Sequence, residues 1–284
     1  MPLDQVSAAN NITRGDLSSC LVPIRVPRRR GGRLLNGFTA FQIELALNFR
    51  KPMRMKKLLS DMWHTAAAHN KRNVLEALGR GPNKMLLDLG CWDGDWTSTI
   101  AKSIGTTHTH GVEIVDSAAK LASGRGVTVI KADLGEPLPI ADHSYDIVHA
   151  NQVIEHVPDV DVFMGEIYRV LRPGGHAVVS TENGSSWCNV FASAMGWQMF
   201  SATNISTRSG GLGNPFALHR TEGGAAAPMR HKTIFNYCGL VEFSRAHGFS
   251  DVKVFGAGYF PLPSSCGAID PRHSHFITVR LTKP

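Results

Sequence analysis

Hydrophobic residues recur along the chain with two different periods. From Leu58 to Leu78 they follow the 3.6-residue period of a helix, and the pattern ends at Gly79 and the Gly81-Pro82 pair. Beyond this point, short apolar runs alternate with amphipathic stretches of helix length. The pattern therefore predicts a chain in which strands and helices alternate.

Five strands and three intervening helices are predicted before residue 182. The strands are Met85–Leu89, His110–Ile114, Val127–Ile130, Tyr145–Ala150 and His176–Thr181, and the helices are Asp95–Ser103, Ser117–Ala122 and Val160–Leu171. Strands that alternate with helices form parallel sheets that are covered on both faces, and their crossovers are right-handed.

The alternation is interrupted by residues 182–231, which are rich in Gly, Ser and Asn. A connection of this length is usually a lid or a binding loop. Its aromatic residues Trp187, Phe191 and Trp197 do not follow a clean helical period, and they either pack against the sheet or line a pocket. We therefore predict an inserted cap at this point of the chain.

A helix over Thr233–Ala246 and two strands, Val252–Tyr259 and Ser274–Leu281, follow the insertion. With these elements the prediction is an α/β protein. It has a Rossmann-like doubly wound, mostly parallel seven-stranded sheet in a three-layer α/β/α sandwich, and the cap is inserted before the penultimate strand.

Composition excludes several classes of protein. With 284 residues, 43% hydrophobic and 19% charged, the chain is neither disordered nor fibrous. No run approaches the roughly 18 apolar residues of a membrane span, and the first residues lack the pattern of a secretory signal. The five cysteines are scattered and form no CxxC pair, which argues against a disulfide framework or a zinc site. We therefore expect a cytoplasmic protein.

The net charge of +7 is concentrated in the first 57 residues. They hold eleven Lys or Arg against three acids, a balance of +8, and the remainder has a balance of −1. We therefore divide the chain into a basic, flexible N-terminal extension (1–57) and a domain over 58–284. The extension is a solvated arm, a weak contact for a membrane surface or RNA, a transit peptide, or the result of a mis-assigned start. The near-neutral domain does not predict nucleic-acid binding.

The most informative segment follows the first predicted strand. Asp88 is followed by a turn that contains Gly90, Cys91, Trp92 and Gly94. Glycine permits positive φ and a close backbone approach to a ligand. The helix that follows presents free N–H groups, which bind anionic groups.

Acidic residues follow the next two predicted strands. Glu113 comes 23 residues after Gly90, where a Rossmann-type fold places an acid that accepts both ribose hydroxyls. Asp133 follows the third strand and is placed to accept the amine of an adenine, with Ile114 and Leu134 flanking the ring. Together these residues predict a site for an adenosine-containing ligand at one edge of the sheet.

Several segments resemble the class I S-adenosylmethionine-dependent methyltransferases. The segments are LLDLGCWDGDWTSTIA, GVEIVD, KADLGEPLPIADHSYDIVHANQVIEHV and EIYRVLRPGGHAVVST. HKTIFNYCGLVEFSRAHGF resembles a later helix of the methyltransferase type 11 branch. The resemblance implies S-adenosyl-L-methionine as cofactor, bound by Asp88, Gly90, Cys91, Trp92, Gly94, Glu113, Ile114, Asp133, Leu134 and Asn151. Trp92 departs from the family pattern, because glycine is usual there, and it must keep negative φ or turn its ring outward.

For the chemistry, the resemblance implies in-line methyl transfer to O, N or C of a small or lipid-like acceptor. His156 and His231 are the candidate general bases, since a pKa near 6.5 suits that role, although both are also placed for local packing. In some relatives that resemble this fold, acids and a histidine around the VIEH segment bind a divalent ion. Here Gln152 stands in place of an acid, which leaves only Glu155 and His156. Two ligands do not make a metal site, so we expect no metal.

Two alternative functions are compatible with the same cofactor. In one, the acceptor is RNA or a protein recruited by the basic arm. In the other, the chain is a non-catalytic subunit that binds the cofactor and activates a partner, an alternative suggested by Trp92. The sequence does not specify the oligomeric state.

Overall fold

The computed structural model of the protein describes residues 52–218, 224 and 226–284. Most of the basic extension predicted over residues 1–57 lies outside the described residues. The hydrophobic pattern predicted a helix from Leu58 to Leu78. Helix α1 (Pro52–Leu78) begins six residues earlier and ends at Leu78, as predicted.

The remaining elements follow the predicted alternation closely. The strands are β1 (Leu86–Leu89), β2 (Thr109–Val112), β3 (Thr128–Ile130), β4 (Tyr145–Asn151), β5 (Leu171–Glu182), β6 (Asp251–Ala257) and β7 (Phe276–Thr282). The helices are α2 (Asp95–Ile104), α3 (Asp116–Gly124), α4 (Val160–Val170), α5 (Trp187–Ala194) and α6 (Tyr237–Ala246).

The strands form one seven-stranded sheet in the order β3-β2-β1-β4-β5-β7-β6. All neighbouring pairs from β3 to β5 are parallel, whereas β7 runs antiparallel to both β5 and β6. The predicted fold class, a mostly parallel Rossmann-like sheet, is confirmed. Because the parallel strands all end at the same edge, the loops after β1, β2, β3, β4 and β5 lie side by side.

Two apolar clusters cover the two faces of the sheet. On one face, Leu86 of β1 and Ile147 of β4 pack with residues of α1 and α2. On the other face, Leu87 and Val148, the next residue of each strand, pack with α4 and α6. Successive side chains of a strand point to opposite faces, so two covered faces produce the continuous apolar runs seen in the sequence.

Part of the insertion is helical, although its aromatic residues do not follow a clean helical period. The inward face of α5 consists of Cys188, Asn189 and Ala192, whereas Trp187 and Phe191 are 40% and 38% exposed. Asn189 donates to the Asn183 carbonyl oxygen (2.9 Å) and to Ser201 Oγ (2.8 Å). The buried face is small and polar, so it does not produce the hydrophobic period by which helices are recognised.

Among the helices of the described residues, none combines the length and the apolar character that crossing a bilayer requires.

Candidate functional site

The loop between β1 and α2 has three residues with left-handed backbone conformation. They are Gly90 (φ 74°), Trp92 (φ 47°) and Gly94 (φ 79°). The indole of Trp92 points outward, and the residue is 53% exposed. Of the two conformations considered for Trp92, the structure has the outward ring. The backbone at this position therefore follows a path that glycine adopts more easily.

Gly90 and Gly94 both lie in close contact with neighbouring elements. A Cβ atom on Gly90 would stand 2.9 Å from Cγ2 of Val153, and one on Gly94 would stand 2.8 Å from the Cα atom of Ala122 in α3. Gly94 is also the N-cap of α2, whose first N–H groups face this loop. The loop is thus a tight cradle of closely packed backbone at the end of β1.

Glu113 is fixed against this loop by two hydrogen bonds. It follows β2, is 7% exposed, and its Oε2 accepts the backbone N–H of Trp92 at 3.0 Å. Its Oε1 accepts the N–H of Val115 at 2.8 Å. A carboxylate offers about four lone pairs, so each oxygen retains acceptor capacity for a ligand hydroxyl.

Residues at the ends of β2 and β3 complete this part of the edge. Ile114 is 48% exposed and Leu134 is partly buried beside Gly90. Asp133 is exposed, and its Oδ1 accepts the N–H of Gly135 at 2.9 Å. The fold thus assembles these residues at one edge of the sheet, as the sequence predicts.

Asp88, by contrast, lies beneath the loop. It is 3% exposed, and its Oδ1 is 2.6 Å from Nδ1 of His149 in β4. Its Oδ2 accepts the hydroxyl hydrogen of Thr97 in α2 at 2.5 Å. Both carboxylate oxygens therefore bind protein groups, and they connect β1 to β4 and α2 under the turn.

The side chain of Cys91 also points into the protein. It is 4% exposed and packs against Ala122 and Val127. Burial, together with the nearby carboxylates of Asp88 and Glu113, raises the pKa of its thiol to about 12. The thiol is therefore a packing group, and only the backbone of Cys91 follows the loop.

Asn151 at the end of β4 connects the site to α1. Its Oδ1 accepts a hydrogen bond from Nδ2 of Asn70 at 3.3 Å. Asn70 is 3% exposed, donates to Ser180 Oγ at 2.8 Å and accepts the Thr278 hydroxyl at 2.8 Å. Sequence reasoning missed Asn70, although a polar residue on the buried side of an amphipathic helix was a signal for it.

The two predicted histidines lie next to each other at the turn that follows β4. The ring centroids of His156 and His231 are 4.8 Å apart. Nδ1 of His156 is 3.2 Å from the carbonyl oxygen of Arg230, and Nδ1 of His231 is 2.5 Å from that of Ser201. Burial, and then the charge of His231, lowers the pKa of His156, so its imidazole is neutral at neutral pH.

Glu155 joins the two histidines. It is 1% exposed, and its Oε2 accepts the hydroxyl hydrogen of Thr181 at 2.9 Å. Burial raises the pKa of this carboxyl to about 8. The ligand atoms of Glu155, His156 and His231 all lie within 4.8 Å of one another. The expectation of no metal assumed two neighbouring ligands, and the fold brings a third from a distant segment.

A cavity of about 480 Å³ opens at the same edge, beyond the end of β5. Its walls are mainly apolar and come from α1, from the segment after β6 and from Phe200 of the insertion. Trp63, Tyr259 and Phe260 supply further aromatic surface. Sequence reasoning missed α1 as part of this wall, since an amphipathic helix is normally explained by packing.

The aromatic residues of the insertion, which were predicted either to pack against the sheet or to line a pocket, are in contact with one another or with neighbouring side chains. Trp187 stacks on His273 with ring centroids 4.4 Å apart and donates its indole N–H to the Tyr259 hydroxyl at 2.9 Å. Trp197 lies between Phe191 and Phe216, with centroid distances of 6.0 and 5.5 Å. These side chains stabilise the insertion, and Phe200 is the aromatic residue of the insertion that faces the cavity.

The cavity has a polar end formed by Glu182, Cys188 and His275. Cys188 Sγ lies 3.2 Å from Nδ1 of His275 and 3.2 Å from Oγ of Ser186. Burial opposes ionisation of the Cys188 thiol, but the adjacent His275 outweighs it and lowers the pKa of the thiol. Burial likewise opposes protonation of His275, and the thiolate outweighs it and raises the pKa of the imidazole to about 9. The two groups therefore favour an ion pair.

Comparison with known proteins agrees with the fold. Residues 87–179 match the family model described as "Methyltransferase domain". The chain is 21% identical to a Thermotoga maritima S-adenosylmethionine-dependent methyltransferase described as a possible histamine N-methyltransferase. The TM-score is 0.52, and the match covers 79% of this chain and 94% of that one. A structure of Haemonchus contortus phosphoethanolamine N-methyltransferase 2 in complex with S-adenosyl-L-methionine is 17% identical. Its TM-score is 0.51, and 76% of this chain and 52% of that one are covered.

Curated relatives match part of their length. An uncharacterized 37.1 kDa protein of a Streptomyces fradiae transposon is 28% identical over 178 residues, covering 60% of this chain and 52% of that protein. Demethylmenaquinone methyltransferase of Staphylococcus aureus is 32% identical over 114 residues, covering 38% and 47%. The chain thus spans about half the length of these relatives. Residues 87–179 thus match a methyltransferase-domain model, and the fold is similar to that of solved S-adenosylmethionine-dependent methyltransferases.

Proposed function

We propose that this protein transfers a methyl group from S-adenosyl-L-methionine to an oxygen, nitrogen or carbon atom of a small or lipid-like acceptor. The observation that carries the proposal is the position of Glu113, which is held against the Gly90–Gly94 cradle at the end of β1. The match of residues 87–179 to the methyltransferase domain supports it.

The residues of the cradle suit the groups of this cofactor. Glu113 has free lone pairs for the two ribose hydroxyls, and Asp133 has an exposed carboxylate for the adenine amine. Ile114 and Leu134 provide apolar surface for the ring, and the first N–H groups of α2 favour a carboxylate. Asp88 contributes indirectly, since it holds α2 under the loop.

When bound, the cofactor supplies a methyl group attached to a positively charged sulfur, which is a good leaving group. The protein must then hold the acceptor atom in line with that carbon, and orientation of this kind provides a large part of the rate acceleration. In the sheet, β4 separates β1 from β5. At about 4.8 Å per strand, the end of β1, which carries the cradle, and the end of β5 are about 10 Å apart.

The cavity suits an acceptor with an apolar body and one polar group. Its walls are mainly apolar, and Glu182, Cys188 and His275 form its polar end. The S. aureus relative is a demethylmenaquinone methyltransferase, which favours an acceptor of this general kind. The candidate general bases His156 and His231 are not among the residues that line this cavity. Nδ1 of each ring faces a carbonyl oxygen, so Nε2 is the atom that would take up a proton from a hydroxyl or amine acceptor.

Calorimetric titration of S-adenosyl-L-methionine and S-adenosylhomocysteine tests the cofactor site directly. We expect micromolar binding by the wild-type protein and about 30-fold weaker binding, or about 2 kcal/mol, by Glu113→Ala. Glu242→Ala removes an exposed acid of α6 and should bind like the wild type. Absence of binding by the folded wild-type protein would refute the proposal.

A further inference from the structure

Three potential metal ligands from two distant segments meet at the carboxyl edge of the sheet. Glu155 and His156 belong to the turn after β4, and His231 belongs to the segment that returns from the insertion. Their ligand atoms lie within 4.8 Å of one another. The backbone fixes this juxtaposition, since the N–H of Lys232 donates to the carbonyl oxygen of Glu155 at 2.7 Å.

The hydrogen bonds of the two histidines orient their rings for metal binding. Nδ1 of His156 faces the carbonyl oxygen of Arg230, and Nδ1 of His231 faces that of Ser201. A carbonyl oxygen only accepts hydrogen bonds, so the proton of each neutral ring resides on Nδ1, and Nε2 carries the lone pair. Histidine ligands of metal ions in proteins usually have this arrangement.

Glu155 supplies the second, independent observation. Glu155 is 1% exposed, and its Oε1 has no hydrogen-bond partner within the part of the chain that the structure describes. A buried carboxyl oxygen without a partner is costly, whereas a cation beside it favours the ionised carboxylate and coordinates its oxygen. With a proton on Nδ1 and a lone pair on Nε2, an imidazole cannot donate to this oxygen through Nε2.

We propose that Glu155, His156 and His231 bind one divalent transition-metal ion of the Zn²⁺ or Mn²⁺ type. Two imidazole nitrogens and one carboxylate oxygen suit such ions, whereas Ca²⁺ and Mg²⁺ prefer oxygen ligands throughout. Three protein ligands leave at least one coordination position for water or for an oxygen or nitrogen atom of another molecule.

The metal ion would also attach the insertion to the sheet. The backbone N–H of His231 donates to Oδ1 of Asn204, and the ring of His231 binds the carbonyl oxygen of Ser201. Coordination therefore joins the turn after β4 to the segment that packs against 201–204. The proposal does not depend on methyl transfer, but in the metal-bound protein these histidines cannot act as general bases.

Titration of chelator-treated full-length protein with Co²⁺, followed by visible absorption, and with Zn²⁺, followed by calorimetry, tests the site. We expect one ion per chain. His231→Ala and Glu155→Gln should each weaken binding more than about 100-fold, because even outer partners of metal ligands change affinity by 10- to 100-fold.

His247→Ala is the matched control. Nδ1 of His247 also lies near a carbonyl oxygen, that of Phe243 (2.9 Å), and Nε2 lies 3.3 Å from Asp161 Oδ1. This pair offers two ligands, so the variant should bind like the wild type. Circular dichroism establishes that each variant is folded, and His156→Ala replaces one that is not. Lack of stoichiometric binding by the wild type, or undiminished binding by folded His231→Ala and Glu155→Gln, overturns the proposal.

Discussion

The backbone N–H of Trp92 and the Oε2 atom of Glu113 form a 3.0 Å hydrogen bond that joins the loop after β1 to the end of β2. The bond uses the main chain of Trp92, so it does not require the indole. It does require the left-handed backbone conformation, with φ of 47°, that turns this N–H toward β2. A bulky residue thus occupies a position whose backbone suits glycine.

Trp92→Gly should increase stability. The left-handed conformation costs a non-glycine residue about 1–2 kcal/mol, and the extra freedom of glycine in the unfolded chain offsets part of the gain. We expect a net increase of about 0.5–1 kcal/mol in the free energy of unfolding by urea titration. Trp92→Ala also removes the indole but keeps the strain, so it should show no increase. A large loss of stability in both variants would indicate that the indole packs in a way that stabilises the loop.

Gly94→Ala should damage the cradle more than a comparable change elsewhere. Gly94 and Gly79 both have positive φ, but a Cβ on Gly94 would lie 2.8 Å from the Ala122 Cα atom, whereas one on Gly79 would meet open space. We expect losses of about 1 kcal/mol for Gly79→Ala and about 3 kcal/mol for Gly94→Ala by chemical denaturation. Cofactor affinity should fall in the Gly94 variant alone. Equal losses would show that the contact with α3 relaxes freely.

Asp88→Asn should destabilise the fold, because Asp88 binds His149 and Thr97 in a buried environment. The amide cannot accept both hydrogen bonds, and we expect a loss of about 3 kcal/mol in the free energy of unfolding. The control is Asp116→Asn at an exposed ion pair with Lys131, which should change little. If Asp88→Asn weakened cofactor binding and left stability unchanged, Asp88 would contact the ligand directly.

Cys188 and Cys91 should differ in their reactivity toward iodoacetamide. The neighbouring His275 lowers the pKa of the Cys188 thiol against the effect of burial, whereas burial and nearby carboxylates raise that of Cys91 to about 12. At neutral pH the thiolate is the reactive form, so mass spectrometry should find Cys188 labelled and Cys91 unlabelled. His275→Ala should slow the labelling of Cys188. Labelling of Cys91 in the folded protein would contradict this assignment.

Acid should destabilise the protein through His176. Burial, and then the charge of Arg280, lowers its pKa from 6.5 to about 4. Between these values the unfolded chain binds a proton that the folded protein does not, so stability falls as pH decreases from 6.5 toward 4. The contribution is on the order of 3 kcal/mol. His176→Gln should flatten the pH dependence of urea unfolding in this range, and His64→Gln, at an exposed site, should not.

Much of the fold was predictable because each strand and helix carries its own local signal. The predicted and observed bounds of β4 differ by one residue, since the apolar residues Tyr145, Ile147, Val148 and Ala150 mark a short strand in a sheet covered on both faces. Helix α5 was missed because its buried face consists of small and polar residues, among them Asn189. Its regularity depends on contacts with other segments, which the hydrophobic period does not register.

The candidate cofactor site was predictable for a different reason. In a parallel sheet, residues that follow successive strands meet at one edge, so the positions of Gly90, Glu113 and Asp133 in the chain already indicate that they are neighbours in space. The inward orientation of Asp88 and Cys91 was not predictable, because it depends on which side of the turn each side chain takes.

The sequence by itself determined the alternation of strands and helices, the strand-end cradle and the acid facing it, because these depend on local period and on the common direction of parallel strands. Tertiary structure alone decided which distant segments meet. It brought His231 to Glu155 and His156, paired Cys188 with His275, and made α1 a wall of the cavity. Such contacts depend on how an irregular insertion packs, and no local pattern in the chain encodes that packing.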